Sequence, residues 1–346
     1  MNSSKPIALN WEDLEYTLRA ETQEEWSHRL KAASPNQFNQ LKLILSRFAT
    51  DGQLRNFFKI LSKEMQSKSH LTRLLTNRIS HEDVIRWEKK LKQRAPGFFS
   101  AKSNYTYAES EQESHKLLHY TLADRDTTRS KTIIGFTGNG GMLMAPIACI
   151  LATLSTNEYN LIVIRRRYRE SYFSDKGKLL DSIYRQLQTT LGDQLENSIT
   201  LGTSSGGLAA AYSAHALKLP LGVILGARAN ENTFTATGPV AEAREANDLT
   251  FRPNHHGFKQ TNLILIAGAK HKEDRESVRL IRNHFQENYR DSSSTKALLF
   301  RGCNDHHIPS DLARIGISLE QVLTAILQGE SDGLTSYLEK DGASEP

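Results

Sequence analysis

Residues 199–211 read Ile199-Thr200-Leu201-Gly202-Thr203-Ser204-Ser205-Gly206-Gly207-Leu208-Ala209-Ala210-Ala211. An apolar strand-like run leads in, and a small-residue helical run leads out. Between them Gly202, Ser204 and Gly206 stand in G-x-S-x-G spacing. On a sharp strand-to-helix turn a serine hydroxyl is lifted clear of the sheet. The residues two before and two after it must then be tiny, because the strand and helix backbones close on each other there. The helix start behind the serine offers backbone N–H groups and a partial positive charge. Ser205, framed by Thr203 and Gly207, competes for the same role. Thr203 fits the tight position less well than Gly202, which favours Ser204. A glycine-rich turn without chemistry is the plain alternative.

Outward from this turn, strands and helices alternate. Strands are expected at Lys131 to Phe136, Asn160 to Ile164, Ser198 to Gly202, Leu221 to Leu225, Thr261 to Ile266 and Lys296 to Phe300. Helices are expected at Lys178 to Leu191, Gly206 to Leu217, Asp274 to Glu287 and Ser318 to Leu327. Two short strands, Tyr105 to Glu109 and Lys116 to Leu122, come first. This order predicts an α/β fold with a mostly parallel sheet and helices on both faces. Upstream, residues 1–103 read as helices: Trp11 to about Ala33 behind a cap at Asn10, one opening at Ser34-Pro35, one after Asp51-Gly52 through Met65, and one behind Ser80 to about Gln93. The chain therefore divides into an N-terminal helical region (1–103), an α/β domain (104–330) and a polar tail (331–346) expected to fray. A long insert at residues 227–260, rich in Asn, Thr, Ala and Glu, reads as a lid-like excursion.

Three further segments carry chemistry-bearing residues. Thr137-Gly138-Asn139-Gly140-Gly141 follows the strand KTIIGF. Its glycines let the backbone approach a ligand, and Gly138, Asn139 and Gly140 are candidate N–H donors. As a dinucleotide fingerprint it fails, with Leu143 where Gly or Ala should stand; as a P-loop it lacks the Gly-Lys-Ser/Thr ending. Asp305-His306-His307-Ile308-Pro309 follows the last strand, where a general base would approach the serine. The spacing to proline leaves both histidines open, with His306 narrowly preferred to His307. Lys270-His271-Lys272-Glu273-Asp274 follows the strand LILIAG and offers an acid to orient that base. Asp274 is the first choice, Glu273 the reserve and Asp248 a remote third; a plain helix cap at Asp274 is the competing reading. The histidine pair His255-His256 reads as exposed loop.

In this order and spacing the segments GTSSGG, TGNGG, the acid-bearing turn and DHHIP resemble the α/β-hydrolase superfamily over about Asn104 to Leu327. The resemblance implies a serine hydrolase that cleaves an ester or thioester through an acyl-enzyme. Ser204 would attack, with His306 (or His307) as base and then acid. Asp274 would hold the imidazole, and Ser205 N–H with a TGNGG amide would receive the oxyanion. It implies no organic cofactor. The loop lacks the His-Gly-Gly-Gly form of many lipases, and the N-terminal helices lie outside the common core.

Composition narrows the rivals. The chain has 346 residues, 38% hydrophobic and 24% charged, as for an ordinary globular protein. A net charge of +5 permits an anionic, small-molecule or carrier-bound acyl substrate and demands no nucleic acid. Cys149 and Cys303 form neither a disulfide framework nor a metal site, so a reducing, cytoplasmic setting is expected. No secretory signal is visible at the start. The longest apolar run, Leu143 to Leu154, is far short of the ~20 residues of a membrane span. An acyltransferase or thioesterase with the same three residues is a close rival. A non-catalytic binding protein that uses the N-terminal helices for a partner is a more distant one. The run Arg165-Arg166-Arg167-Tyr168-Arg169 reads as a solvated or substrate-facing edge.

Overall fold

The structure is a computed structural model. It describes residues 35–66, 81–100, 105–123, 131–166, 171–173, 175–235, 237–246, 260–289 and 293–339. Among the described residues, eight strands form one sheet: β1 (Tyr105–Glu111), β2 (His115–Leu122), β3 (Lys131–Phe136), β4 (Tyr159–Arg166), β5 (Ile199–Thr203), β6 (Leu221–Leu225), β7 (Thr261–Gly268) and β8 (Ser293–Phe300). Their order across the sheet is β1-β2-β4-β3-β5-β6-β7-β8. β2 runs antiparallel to both β1 and β4, and every other neighbouring pair is parallel.

The expected alternation of elements is found, with small shifts at the ends. A strand buried on both faces reads as a continuous apolar run, because successive side chains point to opposite sides. In β4, Leu161 and Val163 enter one buried cluster while Ile162 and Ile164 enter another. The second cluster lies under α5 (Lys178–Leu191), α6 (Gly207–Ala216) and α8 (Lys272–Asn288). The first lies under α4 (Ile147–Thr156) and α10 (Leu319–Leu327), joined by α1 (Pro35–Phe48), α2 (Asp51–Gln66) and α3 (His81–Arg94). Residues 147–154 of α4 are all buried, as a helix apolar on every side must be.

The helices α1 to α3 share this core with the sheet. Leu41, Ile44 and Leu45, spaced along one stripe of α1, are buried with Leu54, Phe57, Phe58 and Leu91. Each such side chain contributes roughly 1.5–3 kcal/mol when fully buried. Trp87 packs on Phe58 at 4.9 Å between ring centroids. The helix expected from Trp11, the cap at Ser80, and Arg167, Tyr168, Arg169, Asp248, His255 and His256 lie outside the described residues.

Three features depart from the sequence reading. The insert contains α7 (Pro239–Ala246), with Val240 and Ala243 buried. A further helix, α9 (Ile308–Arg314), follows the histidine pair. The tail is not frayed at its start: a 3-10 turn over Ser331–Tyr337 buries Leu334, and Leu338 bridges to Phe300. The amides of Arg301 and Glu339 pair with the carbonyls of Tyr337 and Leu299, both at 2.8 Å, so the tail covers the open edge at the end of β8.

His215, near the end of α6, is 5% exposed and packs on Tyr289 at 4.3 Å between centroids. Burial pushes its pKa down to about 4. A histidine kept neutral in the folded state but free to protonate when unfolded supports the fold above pH 6.5. That support is lost as the pH falls toward 4, at ~1.4 kcal/mol per pH unit. His215→Phe should flatten the fall in unfolding free energy across this window, measured by urea titrations at several pH values.

Candidate active site

The turn after β5 is tight for the reason its sequence suggests. A side chain at Gly202 would strike Ala210 Cβ and the Gly206 carbonyl oxygen, and one at Gly206 would strike the Phe136 carbonyl. Ser204 itself has φ +50°, an uncommon conformation for a non-glycine residue. Its carbonyl is held by the Arg228 amide at 3.3 Å. Strain of this kind persists because the glycine-to-backbone contacts on either side over-determine it.

His306 reaches this serine. Its Nε2 lies 3.0 Å from Ser204 Oγ, and its Nδ1 lies 2.8 Å from Asp274 Oδ1. An ionised carboxylate can only accept, so Nδ1 carries the proton and Nε2 faces the hydroxyl as acceptor. In this tautomer Nε2 can take the serine's proton while the carboxylate stabilises the imidazolium that forms. Asp274 is 1% exposed and the His306 side chain 21%, so the chain runs from the buried interior to an accessible hydroxyl.

The competing residues are placed elsewhere. His307 caps the start of α9, and its Nδ1 pairs with Ser310 Oγ at 2.9 Å. Burial, and then the charge of Arg94, lowers its pKa. Glu273 is exposed. Ser205 Oγ donates to Asn139 Oδ1 at 2.8 Å. The capping alternative for Asp274 is answered by His271, which sequence reasoning passed over. His271 is the N-cap of α8, and its Nδ1 accepts the Asp274 amide at 3.2 Å. With the cap supplied by His271, the Asp274 carboxylate is turned to His306. The His271 ring lies 6.0 Å from that of His306.

The loop after β3 lies over the serine. A Cβ at Gly138 would stand 3.1 Å from Ser204 Cβ, a tight contact that glycine avoids. Gly138 is not a spare donor, however, because its amide donates to the Met142 carbonyl at 3.3 Å and closes the loop. That corrects one of the three expected donors. The amides of Asn139 and Gly140 make no hydrogen bond among the described residues. The Ser205 amide, at the second position of the 3-10 turn Ser204–Gly206, has no intrahelical partner.

The segment that carries His306 is fixed by Asp311, a residue without a sequence motif. Its Oδ2 accepts the amides of both Asn304 and Asp305, and its Oδ1 pairs with Arg314 at 2.9 Å. Asp311→Ala should destabilise the fold by about 1–3 kcal/mol, since two part-buried amides lose a charged acceptor. It should also lower kcat more than it alters KM; denaturant unfolding and steady-state kinetics check the two effects.

Cys303 is buried beside this loop, and burial pushes its thiol up to about 11, so it stays protonated at neutral pH. Among the described residues no group of three or more His, Cys, Asp or Glu side chains could hold a metal ion. No helix among them is long and apolar enough to cross a membrane.

No protein-family model matches the sequence. No curated protein matches it either. Among solved structures it is similar to esterase B from Lactobacillus rhamnosis inhibited by a tributyrin phosphonate, with 13% identity, 74% of this chain and 94% of that chain covered, and a TM-score of 0.44. It is similar to an esterase of Pyrococcus furiosus with 14% identity, 68% and 94% covered, and a TM-score of 0.40. It is also similar to the capsule O-acetyltransferase of Neisseria meningitidis serogroup A, with 15% identity, 64% and 94% covered, and a TM-score of 0.43. The strand order and parallel register of the sheet are those of the α/β-hydrolase fold.

Proposed function

We propose that this protein is a serine hydrolase that cleaves an ester or thioester through an acyl-enzyme. The observation that supports this most is the continuous hydrogen-bonded chain Ser204–His306–Asp274, with distances of 3.0 and 2.8 Å. It ends on a serine with positive φ between two glycines that cannot bear side chains.

In this reading His306 Nε2 removes the Ser204 proton as Oγ attacks the substrate carbonyl. Asp274 keeps the ring in the correct tautomer and stabilises the imidazolium. The oxyanion is received by the Ser205 amide and by that of Asn139 or Gly140. His306 then returns the proton to the departing alcohol or thiol, leaving Ser204 acylated. Water enters, His306 takes a proton from it, and the acid is released as Ser204 regains its hydrogen. These steps use side chains, amides and water alone. The substrate class that fits is a small or carrier-bound acyl ester or thioester.

The test is pre-steady-state hydrolysis of p-nitrophenyl acetate and butyrate and of an acyl thioester. A burst of released p-nitrophenol or thiol, absent from Ser204→Ala, is expected. A folded protein that turns over none of these substrates and shows no burst would contradict the reading.

A further inference from the structure

We propose that Arg166 is a positioning residue that fastens the loop after β3 to the turn bearing Ser204, and so fixes the separation of the amides that receive the oxyanion. This rests on the reading of Ser204 as nucleophile.

Arg166 ends β4, and β3 separates β4 from β5 in the sheet. Its side chain spans that gap. Nη2 donates to Asn139 Oδ1 at 3.1 Å and to Ser205 Oγ at 3.2 Å. Ser205 Oγ in turn donates to Asn139 Oδ1 at 2.8 Å, which closes a triangle. One corner belongs to the loop and one to the residue after Ser204; the guanidinium is the third. The triangle sets the side chains of Asn139 and Ser205 against each other, and the amides assigned to the oxyanion are that of Ser205 and that of Asn139 or the adjoining Gly140.

The guanidinium is itself held in place. It lies 4.4 Å from the ring centroid of Tyr172, a cation–π contact. The buried Tyr172 hydroxyl donates to the Thr137 carbonyl at 3.1 Å. Thr137 Oγ1 donates to the Ile164 carbonyl at 3.0 Å. Arg166 and Tyr172 thus grip the loop at two points, Thr137 and Asn139. Both bonds leave Nη2 while the planar guanidinium lies against the Tyr172 ring, a pairing of ring contact and directed donors that suits arginine better than the point charge of lysine.

Donors aimed in advance at a developing oxyanion act on the transition state, not on bound substrate. Loosening them should therefore lower kcat and leave KM for a neutral ester nearly unchanged. For Arg166→Gln we expect kcat to fall roughly ten- to hundred-fold, as for a small misplacement of catalytic groups. Binding of a trifluoromethyl ketone should weaken by a similar factor. Ser205→Ala keeps its amide but loses one side of the triangle, and should shift both quantities the same way by less. Asn139→Ala removes the corner through which Arg166 acts. In that background Arg166→Gln should cost less than about three-fold more.

Wild type, single and double variants would be compared on neutral p-nitrophenyl butyrate, with melting curves to show that each is folded. The proposal is overturned if Arg166→Gln matches wild type, if it raises KM at unchanged kcat, or if its full effect persists in the Asn139→Ala background. If Arg166→Gln does not fold, Ser205→Ala and Asn139→Ala decide the matter; normal kcat in both would overturn the proposal. Wild type inert toward ester and ketone alike marks instead the failure of the hydrolase reading, and the positioning role falls with it.

Discussion

His306→Ala should lower ester turnover by about a million-fold, whereas His307→Ala should retain it within about ten-fold. The two residues are adjacent, of the same type and on the same loop, so the contrast isolates geometry from chemistry. His306 Nε2 stands 3.0 Å from the Ser204 hydroxyl. Without it the hydroxyl has no base, and attack falls to the background that the oxyanion donors and substrate binding sustain. His307 directs its ring to Ser310 and lies at the start of α9. Its loss should be felt mainly as a small change in stability. Steady-state kinetics with p-nitrophenyl butyrate, together with melting curves, check both variants. Equal losses in the two would contradict the assignment.

Asp274→Asn should lower kcat by roughly ten-thousand-fold, while Glu273→Gln stays near wild type. Asparagine preserves the shape of the buried side chain. Its amide nitrogen, if turned to His306, is a donor facing a donor, so the ring is driven to the tautomer with the proton on Nε2. That tautomer cannot accept from Ser204. If the oxygen is kept toward His306 instead, the imidazolium loses the charge that stabilises it. Glu273 is exposed, and among the described residues no hydrogen bond or ion pair joins it to His306. The same kinetic assay, run beside denaturant unfolding, separates a loss of chemistry from a loss of fold.

The turn at Ser204 was legible because its demand is steric and local: Gly202 and Gly206 leave no room for a Cβ, and sequence alone displays that requirement. The strand pattern was legible because the sheet is buried on both faces, so β4 and β7 are nearly continuous apolar runs. Asp274 was ambiguous for a physical reason. An acid three residues into a helix serves as readily for a cap as for a partner, and only the cap geometry of His271 separates the two. His306 and His307 could not be told apart because consecutive residues of an irregular loop project in different directions, and spacing to a proline does not fix which.

Gly138 shows a different limit. Its glycine identity records the close approach to Ser204, while its amide is spent within the loop. A glycine therefore signals proximity without saying which N–H is available. Asp311 was not found as a site residue because it holds the backbone amides of Asn304 and Asp305 and carries no motif, and Arg166 because it reaches Asn139 and Ser205, distant in sequence, through side chains alone. The helix α7 did carry a signal, with proline at its first position and Ala and Glu following, inside a stretch read as loop.

The most direct measurement is labelling with a fluorophosphonate probe, followed by peptide mass spectrometry, on wild type, Ser204→Ala, His306→Ala and His307→Ala. The account predicts a single adduct on Ser204. It should be absent from Ser204→Ala, strongly slowed in His306→Ala and retained in His307→Ala. A folded wild-type protein that takes no label, or takes it on Ser205, would contradict the central claim.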